Sequence, residues 1–132
     1  MTGLRPVDPA TARAYRRSLY RAGGLAVWPG GRPVGRPGWW RGRRGDVVFV
    51  SACNPGGRRR PDGWNRRMMA RLAEHLSGVP HCPGEGTLGA WSEALYAVAF
   101  PLARGRVVAR RFGQNAVLVL RDERAARLVF LA

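Results

Sequence analysis

The hydrophobic positions of the chain change period several times, and each change marks an element. Asp8 before Pro9 has the form of an N-cap followed by proline at the first helical position, and Ala12, Tyr15 and Leu19 recur at helical spacing until Gly23 and Gly24 interrupt them. This predicts a helix over residues 9–21, with Arg13, Arg16, Arg17 and Arg21 solvated. Residues 25–28 suit a short strand. Residues 29–45 are Gly, Pro and Arg with Trp39 and Trp40 among them and have no period, which predicts a mobile loop. Residues 47–53 form an apolar run without alternation, as in a strand that is covered on both faces or central in its sheet.

A Gly/Arg loop follows over residues 54–61. Asp62 then has the form of a helix cap, and Trp64, Met68, Leu72 and Leu76 repeat every four residues, with Met69 and Ala73 beside them, until Gly78. Pro80 and Pro83 limit any strand in residues 79–87 to a short one at a sheet edge. Residues 94–100 read as a second buried strand. Pro101 opens a helix whose Gly105, Val108, Ala109 and Phe112 share one face, and Gly113 closes it. Residues 116–120 and 127–131 flank a turn and read as a hairpin.

From Val47 onward the order is strand, helix, weak edge strand, strand, helix, strand. That is the split β-α-β order of a ferredoxin-like sandwich, with an added N-terminal helix and an appended C-terminal strand; a mixed sheet of different strand order is the alternative. The expected fold class is therefore α+β. Residues 1–132 are enough for one core and too few for two, so one domain is expected.

Composition narrows the setting. No apolar run approaches the roughly 20 residues that span a bilayer, and residues 1–20 lack the apolar core and cleavage site of a secretory signal. A cytoplasmic protein without membrane contact is the expectation. Cys53 and Cys82 form neither a disulfide framework nor a metal-ligand spacing, and both are expected to stay reduced. A zinc site drawn from Cys53, His75, His81 and Cys82 lacks the spacing such sites use, so neither metal nor cofactor is expected.

Charge changes the picture more. The chain has 23 arginines, no lysine and 8 acidic residues, a formal net charge of +15. Such an excess creates a field that attracts polyanions, although the same excess also produces attraction without a specific partner. The arginines are uneven: residues 72–103 contain none.

Ser51-Ala52-Cys53-Asn54-Pro55, Asn65 in the following helix, Trp91-Ser92-Glu93 and Phe112-Gly113-Gln114-Asn115-Ala116 stand in order along the chain. Together they resemble a family of short bacterial proteins catalogued as domain of unknown function 3293, with the resemblance extending over residues 15–130. The resemblance implies no activity.

Strand order says more about place. In the ferredoxin-like order the end of the first strand, the start of the first helix and the starts of the third and fourth strands share one edge of the sheet. Asn54, Asn65, Glu93 and Gln114 occupy those places, and Trp91 and Asn115 adjoin them. Two readings stay open: the amides cap backbone groups and Glu93 pairs with an arginine, or the group forms a ligand site. Gly56-Gly57-Arg58-Arg59-Arg60 lies beside them, before a helix N-terminus, where free N–H groups favour anions; it is either a solvated turn or a phosphate site, and it lacks the Gly-Lys-Ser/Thr ending of a Walker loop.

Catalytic arrangements are sparse. No Ser sits in a Gly-x-Ser-x-Gly turn, and His75 and His81 have no carboxylate at a telling spacing. The expected function is a non-enzymatic binding module for RNA or another phosphate-bearing ligand. Its arginines would neutralise phosphates, and Trp39 and Trp40, flanked by Arg36, Arg41, Arg43 and Arg44, would either offer stacking platforms or anchor the loop on the core. The rivals are a small enzyme acting on an anionic metabolite, with Glu93 as general acid or base, and a protein-interaction module.

Overall fold

Asp46–Val50 has the sequence DVVFV, and Val47, Val48, Phe49 and Val50 are all buried. Successive side chains of a strand point to opposite faces, so a strand buried at every position needs cover on both sides. Val48 and Val50 enter one core with Leu72, Leu76, Ala109 and Phe112, whereas Val47 and Phe49 enter another with Leu25, Val27, Leu118 and Leu120.

A computed structural model describes residues 6–35, 45–122 and 124–131. The elements run α1 (Pro9–Arg17), β1 (Leu19–Ala22), β2 (Leu25–Val27), β3 (Asp46–Val50), α2 (Asp62–His75), β4 (His81–Leu88), β5 (Trp91–Val98), α3 (Leu102–Arg111), β6 (Ala116–Arg121) and β7 (Arg127–Phe130). The strands form one seven-stranded sheet in the order β2-β1-β4-β5-β3-β6-β7, and each neighbouring pair is antiparallel. The fold is α+β. Helices α2 and α3 cover one face of the sheet. The other face curls into a half-barrel, and its two ends are tied where the Gly30 N–H donates to the Ala126 carbonyl and the Ala126 N–H to the Gly31 carbonyl, each at 2.7 Å. Among the described residues no helix is long and apolar enough to cross a membrane. Trp39 and Trp40, with Arg36, Arg41, Arg43 and Arg44, lie outside the described residues.

Several expectations need correction. The first helix does not reach residue 21: it stops at Arg17, where buried Ser18 returns its hydroxyl to the Ala14 carbonyl at 2.8 Å. Leu19–Ala22 is a strand because Gly23 and Gly24 form a two-residue hairpin turn, with φ of 54° and 85°, and set Ala22 opposite Leu25. This hairpin adds to β4, so β4 is an eight-residue inner strand rather than a short edge. Pro83 is tolerated there because pairing with β1 ends at Gly84, which leaves the strand bare on that side at the proline. Asp62 opens α2 but makes no cap bond, and of the two methionines Met69 is the one that is buried. In the segment expected to be a mobile loop, Val34 pairs with Ala26 and Gly30 and Gly31 carry the barrel tie.

The start of α3 shows how distant residues finish a local element. Its N-cap, Pro101, has no side-chain acceptor to offer. Asp46 supplies one from β3: Oδ2 accepts the Leu102 N–H at 2.8 Å, and the Arg121 guanidinium donates to both carboxylate oxygens at 2.7 and 3.1 Å. The helix also approaches β3 closely, since a Cβ at Gly105 would stand 2.9 Å from Val48 Cγ1. The Arg121 hydrogen bonds, aided by the Leu102 N–H, hold the Asp46 carboxyl below the ordinary aspartate value.

Asp46→Ala is therefore expected to lower stability by about 1–2 kcal/mol at neutral pH, the usual scale for a lost cap, as measured by urea unfolding. Because the native pKa is depressed, the contribution is complete above the unfolded value of 3.8 and is lost as the pH falls through the lower native value. The wild-type and variant stabilities should converge in acid.

Candidate functional site

β3 runs antiparallel to both β5 and β6, with Val50 opposite Tyr96 and Phe49 opposite Leu118. The C-terminal end of β3 consequently lies beside the N-terminal ends of β5 and β6. Past this end the chain turns at Asn54, whose backbone is left-handed at φ 47°, a conformation that asparagine accepts better than most residues.

The turn aims the Asn54 side chain into a network. Its Nδ2 donates to Glu93 Oε2 at 3.0 Å, and its Oδ1 accepts the Arg60 N–H at 2.8 Å and Asn65 Nδ2 at 2.9 Å. Asn65 Oδ1 accepts the Asn54 N–H at 3.0 Å, so the two amides hold each other. Gln114 is buried and donates through Nε2 to the carbonyls of Cys53 and Phe112, at 3.0 and 3.2 Å. It follows Gly113, whose φ of 67° closes α3 and whose carbonyl accepts the Gly56 N–H at 2.8 Å. Asn115 turns to the first helix and donates to the Tyr15 hydroxyl at 3.1 Å.

Asn54 therefore joins Asn65 and Glu93 directly, and Gln114 reaches this group through the Cys53 carbonyl. They do not all share one space. Asn54, Asn65, Arg59, Arg60, Arg66 and Tyr96 line a groove of about 920 Å³. Tyr15, Tyr20, Ser51, Gln114 and Asn115 line a cavity of about 50 Å³ inside the mouth of the half-barrel, room for a water or two. Glu93 and Trp91 line both, so Glu93 stands between the two spaces. Trp91 is 45% exposed and forms the groove wall. Of the arginine triplet, Arg59 and Arg60 face the groove and Arg58 is not among its lining residues. Arg60 is held at both ends, by its N–H on Asn54 and by its guanidinium 5.3 Å above the Trp64 ring.

The electrostatics single out Glu93. Burial pushes its carboxyl above the ordinary glutamate value, against the Asn54 hydrogen bond and the nearby Ser51 hydroxyl, which lower it. Among the described residues the one ion pair is Arg121 with Asp46, and none of the described arginines pairs with Glu93. Burial also raises Tyr15, Tyr20 and Cys53, which keeps the two hydroxyls and the thiol protonated at neutral pH. Among the described residues no group of three or more His, Cys, Asp or Glu side chains gathers where a metal could bind. His75 meets the Phe112 ring edge-on, and His81 Nδ1 lies 2.6 Å from the Val79 carbonyl.

Tyr15, Tyr20 and Ser51 are absent from the group expected from strand order. Ser51 donates to the Ala94 carbonyl at 2.7 Å and accepts the Cys53 N–H at 3.0 Å, which fixes the strand end beside Glu93. For Tyr20 a signal exists in Gly23-Gly24 between two short apolar segments, a hairpin pattern as much as a helix stop.

Glu93→Gln keeps the shape and an acceptor for Asn54 but removes the buried charge. The native pKa is raised, so the carboxyl favours the fold below its unfolded value of 4.5 and disfavours it as the pH rises through the native value. The substitution is expected to raise the melting temperature at neutral pH and to leave it nearly unchanged at about pH 4, as measured by thermal scans at both.

The chain matches no curated protein and no protein of solved structure. One family pattern, described as protein of unknown function (DUF3293), matches residues 50–117, from the last residue of β3 to the second residue of β6. That span holds Asn54, Arg58, Arg59, Arg60, Asn65, Trp91, Glu93, Gln114 and Asn115, and it leaves out Tyr15 and Tyr20. With just over half of its length matched, from the turn at Asn54 to the amides that follow α3, this chain belongs to the DUF3293 family.

Proposed function

We propose that the groove between α2 and β5 binds a phosphate-bearing ligand, and that the protein is a binding module for such groups, with RNA as their polymeric form. The observation that carries this reading is the joint presence of Arg59, Arg60 and Arg66 with Trp91 and Tyr96 around one groove. A guanidinium presents a planar fork of donors that matches phosphate oxygens, and its stacking on Trp64 pre-places the Arg60 fork. An exposed tryptophan beside such charges offers a base a face to stack on. The net charge of +15 adds long-range attraction, and an RNA partner would place the protein in the cytoplasm.

The same reading includes a ferredoxin-like unit made of β3, α2, β4, β5, α3 and β6. Its support is the sheet order β4-β5-β3-β6 with a helix in each crossover, to which α1, the β1-β2 hairpin and β7 are additions. A second functional reading rests on Glu93: a buried carboxyl with a raised pKa, in a groove and without an ion-pair partner among the described residues, suits a general acid or base, with Asn54 and Asn65 orienting the substrate.

Affinity for a short single-stranded RNA is expected to fall steeply with salt, with a log–log slope of about −0.7 for each phosphate neutralised. Arg59→Ala with Arg60→Ala should weaken binding by roughly tenfold or more, about 1.4 kcal/mol, and Arg58→Ala should weaken it much less. Fluorescence anisotropy across a salt series measures both. A flat salt response would remove the phosphate reading.

A further inference from the structure

An anion site with a carboxylate at its base poses a physical problem. Glu93 lines the same groove as three arginines, yet none of the arginines among the described residues pairs with it. An ionised carboxylate only accepts hydrogen bonds, and its two oxygens have about four lone-pair sites. The Asn54 amide fills one of these at 3.0 Å, and Ser51 stands beside the carboxylate. The remaining capacity faces the groove and the small cavity behind it. An anionic ligand that reaches Glu93 without a donor would bring two unpaired negative groups together, which is costly in a partly desolvated site.

The donor that meets Glu93 has a restricted identity. An ammonium group would be repelled by Arg59, Arg60 and Arg66 around the same groove. A neutral hydroxyl satisfies the carboxylate without that penalty. The groove volume of about 920 Å³ admits a molecule the size of a nucleotide, with phosphate at the arginines, a ring against Trp91 or Tyr96 and a sugar between them.

We propose that Glu93 reads a sugar hydroxyl, so that the groove prefers a ribonucleotide to its 2′-deoxy counterpart. This rests on the phosphate reading above and adds the class of ligand. Asn54 and Asn65 serve as positioning residues, because Asn54 holds one carboxylate oxygen, Asn65 holds Asn54, and the rest of the carboxylate is left for the ligand. A carboxylate accepting from the 2′-hydroxyl is a general way to distinguish ribose from deoxyribose. The preference depends on the ionised form, so it weakens as the pH falls through the raised pKa of Glu93.

Isothermal titration of the full chain at low salt and neutral pH, with adenosine 5′-monophosphate and with 2′-deoxyadenosine 5′-monophosphate, tests this directly. The ribonucleotide is expected to bind about tenfold tighter, the effect of one hydrogen bond to a charged group. Glu93→Gln should bring the two affinities close together. Equal affinities in the wild type, with both weakened by Arg59→Ala and Arg60→Ala, would overturn the hydroxyl assignment and leave the phosphate reading standing. Binding of neither nucleotide would overturn both. The wild-type comparison needs no variant to fold, and thermal scans confirm the folding of the variants.

Discussion

The burial of β3 on both faces is the constraint from which the rest of the structure follows. Val47, Val48, Phe49 and Val50 lie in succession at exposures of 3% or less, and each such side chain contributes roughly 1.5–3 kcal/mol when removed from water. No single layer can cover both faces. Helices α2 and α3 supply one cover, and the curl of the sheet, closed by the tie between Gly30, Gly31 and Ala126, supplies the other. β5 and β6 meanwhile pair with the two edges of β3, so its backbone is satisfied at the same time as its side chains.

The site lies where this strand stops. Beyond Val50 the chain must leave a fully covered position and turn, and it does so through Ser51 and a left-handed Asn54. The backbone groups released there, such as the Cys53 N–H and carbonyl and the Asn54 N–H, are taken up by Ser51, Gln114 and Asn65. Much of the polar network thus has structural work to do. Glu93 is the exception, because it satisfies no backbone group and costs desolvation, and it touches the groove and the cavity at once.

Charge follows the same division. Asp46, at the other end of β3, is paired with Arg121 and caps α3, and its carboxyl is held low. Glu93, at the end of the neighbouring strand, has an amide where Asp46 has a guanidinium, and its carboxyl is raised. Two acidic side chains at opposite ends of adjoining strands therefore have opposite character, one held low by an ion pair and one raised by burial.

The apolar run after Asp46, the four-residue repeat in α2 and the proline and glycine that bound α3 were legible in the sequence, because each is a local pattern with a local cause. The meeting of Asn54, Asn65 and Glu93 was legible too, since the alternation of strands and helices places those positions at one end of the sheet. Tertiary structure alone decided the rest. Leu19–Ala22 is short and suits a helix or a strand equally, and its pairing partner, residues 84–87 of β4, lies far along the chain. That pairing made β4 an inner strand and placed Tyr20 at the half-barrel mouth, where Tyr15 and Gln114 also lie. Asp46 likewise caps a helix 56 residues away. Local propensity is too weak to choose between conformations in segments this short, and the free energy that chooses comes from contacts made only after the sheet has formed.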